Sequence, residues 1–138
     1  MLLEEVCETL FDQLTAVAPF DTADSVFIEG YHEEIAAGIE AAVAANNWAI
    51  VIEAPTWTLL HDEIGDPESV ILDAQVTVGL IVDEQPLSHD GLNMARQAFA
   101  AVLAAGDFRA TETPLEKPFE ETGLSIFALN FYTHASLS

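Results

Sequence analysis

Histidine is the side chain best suited to acid–base and metal chemistry near neutral pH, and the chain has four. His32 opens the string His32-Glu33-Glu34-Ile35-Ala36, but Ala36 stands where a zinc-protease helix needs its second histidine. It reads as a surface residue at a helix start. His61-Asp62-Glu63, with Asp66 nearby, offers oxygen and nitrogen ligands to a cation; an exposed acidic turn explains the same residues. His89-Asp90 reads as a loop leading into a helix cap, and His134 as a strand end. Nucleophiles are equally sparse. No serine occupies a Gly-x-Ser-x-Gly elbow, and the seven glycines are scattered rather than gathered into a phosphate loop. The one cysteine, Cys7, lacks a basic neighbour to favour its thiolate and reads as a small buried hydrophobe. Among 24 acidic residues no carboxylate pair stands out. The expectation is a protein that is not an enzyme, with no catalytic residues, no bound metal and no cofactor.

Charge narrows the function further. Only Arg96, Arg109 and Lys117 oppose those 24 acids, for a net charge of -21. A field of that sign repels phosphates and argues against sequence-reading contact with DNA. It suits a wall along which DNA slides without sticking, or simple solvation, including adaptation to salt. With 138 residues, 51% of them hydrophobic, the chain is long enough to bury a core and is expected to form a single domain. No apolar run approaches the roughly 18 to 20 residues that span a bilayer, so no membrane partner is expected. Met1-Leu2-Leu3-Glu4-Glu5 lacks the basic start of a secretory signal, and one cysteine allows no internal disulfide. A cytosolic life fits.

These residues must be positioned by a small set of elements. Leu2, Leu3, Val6, Leu10, Leu14 and Val17 recur at helical spacing and predict a first helix ended by Pro19. Residues 20–30 read as a connector that holds the apolar patch Val26-Phe27-Ile28. A second helix is expected over 31–45, with Ile35, Ile39 and Val43 as its stripe and Asn46-Asn47 as its stop. The period then changes to two. Trp48 to Ile52 is a strand that resumes at Trp57 after Pro55; 61–67 is a polar turn; 70–82 is a second strand with Leu72, Ala74, Val76, Val78, Leu80 and Val82 on one face. Ser88 or Asp90 caps a helix over 91–105, whose stripe is Leu92, Ala95, Phe99, Val102 and Leu103. A short strand over 108–113, a polar excursion over 114–123 and a last strand over 124–136 complete the chain. The fold class is α+β: helices on a mainly antiparallel four-stranded sheet, in the order α-α-β-β-α-β-β.

Two tryptophans divide between core and surface. Trp48 heads an apolar strand and belongs inside, whereas Trp57 approaches the hairpin tip. An exposed Trp57 beside Leu59 and Leu60 makes a good interface anchor. Trp57, Thr58, Leu59, Leu60, Val70 and Ile71 are the candidate subunit or partner interface, being less acidic than the rest of the chain.

The stretch from Trp48 to Ser136 resembles the tail terminator and tail-completion (neck) proteins of long-tailed bacteriophages. The likeness lies in the long hairpin, the helix Gly91-Leu92-Asn93-Met94-Ala95-Arg96-Gln97-Ala98-Phe99, Pro114-Leu115-Glu116, Glu120-Glu121-Thr122-Gly123-Leu124 and the alternating Ile126-Phe127-Ala128-Leu129-Asn130-Phe131. The two N-terminal helices depart from the simplest form of that family. The resemblance implies a virion structural protein, assembled in the host cytoplasm, that forms a homo-oligomeric, hexameric ring at the head-proximal end of the tail. Such a ring stops tail-tube growth and joins the tube to the head connector, while DNA passes through an acidic channel without specific binding. The competing reading is an acidic protein-binding module, such as an adaptor, an inhibitor or a DNA mimic, for which Glu4, Glu5, Glu8 and Asp12 supply one acidic helix face.

Overall fold

The computed structural model describes residues 1–21, 23–31, 34–85, 90–121 and 123–137. Among the described residues are three α-helices and a mixed six-stranded sheet, an α+β arrangement. The helices are α1 (Val6–Thr15), α2 (Ile35–Asn46) and α3 (Gly91–Ala104). The strands are β1 (Val26–Ile28), β2 (Trp48–Ile52), β3 (Thr56–Glu63), β4 (Asp66–Asp83), β5 (Arg109–Glu121) and β6 (Leu124–Ser136). Their order across the sheet is β1-β2-β4-β6-β5, with β3 pairing on β4.

The expected four antiparallel strands therefore undercount the sheet. Val26-Phe27-Ile28 is a strand, not part of a connector, and pairs parallel to β2 with Val26 beside Ile50 and Ile28 beside Ile52. Three residues are too few to display a period, and the partner lies a whole helix away. The strand that begins at Trp48 is also two strands. It breaks at 53–55, where Pro55 has no N–H to give to a ladder, and both halves pair with β4.

One face of the sheet carries the core. Leu72, Ala74, Val76, Val78, Leu80 and Val82 of β4 are buried, as are Phe127, Leu129 and Phe131 of β6. That is the alternation demanded of half-buried antiparallel strands. Val6, Cys7, Leu10 and Leu14 of α1, with Met94, Ala95, Ala98 and Val102 of α3, close over them. Trp48 is buried, with Phe20 edge-on at 5.4 Å, and Phe99 lies 4.8 Å from Phe131. Two stripe residues depart from expectation. α1 ends at Thr15 rather than at Pro19, which leaves Val17 exposed, and Leu92 at the first turn of α3 is 44% exposed.

Helix α2 starts at Ile35, later than expected, and lies over Phe27, whose side chain alternates away from the buried Val26 and Ile28. Glycine is needed at the contact, because a Cβ on Gly38 would come within 2.9 Å of the Phe27 ring. Ile35, Ile39 and Val43 are only half-buried and Ala42 is the buried residue. Asn47, with φ 68, ends the helix as the Asn46-Asn47 pair predicts. Asp90 is the cap of α3, accepting from the backbone N–H groups of Leu92 (3.1 Å) and Asn93 (3.3 Å). His32, Ser88 and His89 lie outside the described residues.

Strand β5 replaces the expected short strand and polar excursion. Its ladder with β6 slips twice, between Ala110 and Leu115 and between Glu116 and Phe119. Each slip contains a proline, Pro114 or Pro118, a residue that sheets tolerate at edges and bulges. No helix among the described residues is long and apolar enough to cross a membrane.

Candidate subunit interface

The ladder between β4 and β6 ends at Ile71 and Ser136, so the outer part of β4 has only β3 beside it. This pair projects as an arm, and all eight residues of β3 are exposed. The polar turn expected over 61–67 shrinks to Ile64 and Gly65, with Gly65 taking φ +79. His61, Asp62 and Glu63 belong to β3. Backbone groups beyond the turn are satisfied locally. Glu63 N donates to Ser69 Oγ (2.6 Å), Ser69 Oγ donates to the Asp66 carbonyl (2.8 Å), and Glu68 N donates to Asp66 Oδ1 (3.0 Å).

Register places Trp57 and Leu59 at the root of the arm, in rows of β4 that β6 still flanks. Trp57 sits opposite Ala74 and Leu59 opposite Leu72, so both continue the core face of the sheet beyond the helices. They are 55% and 60% exposed. Thr58 lies opposite Asp73 on the other face. A register shift between Leu59 and His61 leaves Leu60 without a Cα partner and exposed. Val70 and Ile71 are half-buried at the arm's root. Ile64 at the tip is wholly exposed and escaped the sequence reading, because an isolated apolar residue inside a polar turn has no period to reveal it.

The arm divides by charge. Residues 57–60 contain no acid, while Asp62, Glu63, Asp66 and Glu68 crowd the tip. Among the described residues no group of three or more His, Cys, Asp or Glu side chains is arranged to hold a metal, His61, Asp62, Glu63 and Asp66 included.

The sheet's other face, where α2 leaves it open, holds a groove of ≈ 780 Å³. Four acids, Glu53, Asp73, Glu112 and Glu116, line it. Asn130 braces its floor. It accepts from Thr77 Oγ1 (2.8 Å) and donates to the Thr113 carbonyl (2.8 Å) and to Glu116 Oε1 (3.0 Å). Thr113 belongs to the first β5 slip, so one side-chain amide replaces part of the missing ladder. Asn130→Leu is expected to cost about 0.5 to 1.5 kcal/mol in urea unfolding, since it removes the part-buried bond from Thr77 while the exposed Thr113 and Glu116 oxygens turn to water. Unaltered stability would show that water serves them equally well.

No protein-family model matches the chain, nor does any curated protein.

Function has to be argued from surfaces, and two of them differ sharply: an apolar arm and an acidic groove. At the groove's rim, burial and then the nearby Glu29 carboxylate push the Glu53 carboxyl above its ordinary range. The Cys7 thiol, whose Sγ lies 3.6 Å from the Glu53 carbonyl, is raised by burial and then by Glu29. A carboxyl whose folded pKa is raised favours the folded state when protonated, and that contribution is lost as pH rises through the folded value. Glu53→Gln is therefore expected to raise the melting temperature at pH 7 and to leave it unchanged at about pH 4, where the wild-type carboxyl is largely protonated. Melting curves at the two pH values test this; a gain at low pH alone carries the wrong sign.

Proposed function

We propose that this chain is a structural protein of a long-tailed bacteriophage virion, one subunit of a ring at the head-proximal end of the tail. In that role it ends tail-tube growth and joins the tube to the head connector. The observation that carries the reading is strand β3 with its turn, on which Trp57, Leu59, Leu60 and Ile64 are all exposed in a chain of net charge -21. Solvation alone gives no reason to hold four large apolar side chains exposed on one strand and its turn. A patch that meets a different patch on the next copy builds a ring when the rotation closes. The family resemblance of the second half supplies the type of ring.

The groove suits the same role. Its carboxylates present like charge to a duplex, so DNA passes without adhering. Screening decides how the subunits then meet. Copies that each carry -21 repel, and the Debye length falls from about 8 Å at 0.15 M salt to about 3 Å at 1 M. Association is expected to strengthen as salt rises.

Tube capping tests the proposal. Added to polymerising tail-tube protein of the same virion, the chain is expected to bind tube ends and halt elongation. Tubes that lengthen at the same rate with and without it argue against the reading.

A further inference from the structure

We propose that α2 is a hinged helix: it opens as one unit, pivoting on its C-terminal end, while β4, β6 and the core they carry stay folded. The device belongs to the single subunit and is independent of the ring reading, which rests on β3. Burial is the first reason. α1 buries Val6, Cys7, Leu10 and Leu14, and α3 buries six residues, whereas among the described residues of α2 only Ala42 is buried. Ile35, Ile39 and Val43 are half-buried, and the outer face, with Ala37, Ala41 and Ala44, is exposed. Hydrophobic stabilisation scales with the apolar area removed from water, so docking holds this helix weakly. Off the sheet it has little stability of its own, because isolated helices shorter than about 12 to 15 residues are marginal in water.

The two ends are held unequally. At the start, Glu34 takes the left-handed conformation with φ 53, and its side chain makes no capping bond. That conformation is unfavourable for a residue with a Cβ. Helix α3, by contrast, begins with two bonds to the Asp90 carboxylate. At the finish, Asn46 Nδ2 donates to Oγ of the buried Ser25 (2.6 Å), and the Asn47 carbonyl accepts from Asp83 N (2.8 Å). Opening therefore begins at the strained end and turns about the anchored one.

Between its ends the helix rests on Phe27, through the close approach at Gly38. This platform is slight. Phe27 is half-buried on β1, an edge strand tied to β2 by a parallel ladder of three residues. The sheet beneath is of another kind: Val76, Val78 and Leu80 of β4 pair with Phe131, Leu129 and Phe127 of β6, and all are buried. Elements with few buried apolar contacts open locally at a lower free energy than the core. Opening uncovers the Phe27 ring together with Ile35, Ile39 and Val43, an apolar surface that the closed subunit half hides.

Native-state hydrogen exchange of the full-length chain, resolved by residue, tests the hinge. Amides over 39–46, which bond within α2, are expected to be protected at least about 100-fold less than those of Val78 and Leu129, and to respond little to low urea. Two variants separate docking from strain. Phe27→Ala removes the platform and is expected to lower protection in α2 by about a further tenfold. Glu34→Gly relaxes the left-handed residue and is expected to raise it by about fivefold. The amides of Val78 and Leu129 are expected to move far less in both. Protection in α2 that equals that of the sheet and falls with the same urea dependence would mean that the helix opens only with the whole subunit, and would overturn the proposal. So would variants that shift helix and sheet amides by the same factor.

Discussion

Replacing Trp57 with alanine and Leu59 with serine together is expected to weaken self-association by roughly 100-fold or more, with little change in the melting temperature. Both side chains are more than half exposed in the single subunit, so folding gains little from them. Covering a large apolar side chain contributes about 1.5 to 3 kcal/mol, and every 1.4 kcal/mol is close to tenfold in affinity. Tryptophan adds a rigid aromatic body that interfaces use preferentially as an anchor. Concentration-dependent light scattering reads the effect directly. Wild-type association by the double variant would remove the arm from the contact.

The opposite pattern is expected at Phe131. Its side chain is fully buried and meets Phe99 at 4.8 Å on the face where α3 covers the sheet. Phe131→Ala removes that packing and leaves a void, which typically costs about 3 to 5 kcal/mol. Small domains have only about 5 to 15 kcal/mol in total, so this one change consumes a large share. Urea unfolding is expected to shift far toward low denaturant, and assembly should fail only as the subunit unfolds. A loss below about 1 kcal/mol would contradict the packing of α3 on β6.

What could be read in advance follows from how each element meets water. β4 and β6 bury one face and half-cover the other, so Leu72 to Val82 and Phe127 to Thr133 print their alternation into the sequence. Trp48 and Trp57 separated correctly because one heads an apolar run and the other follows Pro55 toward a polar tip. β5 hid itself. Its two proline-bearing slips break the period, and Asn130 stabilises the first slip through a contact that is distant in sequence. β1 was illegible because three residues gain their stability from a parallel partner across α2.

The candidate surfaces divide in the same way. Trp57, Leu59 and Leu60 were readable as an apolar run that no helix had to cover. Ile64 was concealed by its polar neighbours. Leu92 fell on the helical stripe of α3 and was expected inside, yet it sits in the first turn, where the helix runs past the edge of its cover. A side chain that obeys the period and is still exposed becomes visible only in three dimensions.

The proposed ring requires subunits of this chain to associate with one another despite a charge of -21 each. The most direct measurement is the mass of the wild-type protein in solution at high concentration and about 1 M salt, where the charges are screened to about 3 Å. The expected result is a discrete, closed oligomer that loosens as salt is lowered. A strict monomer under those conditions would contradict it.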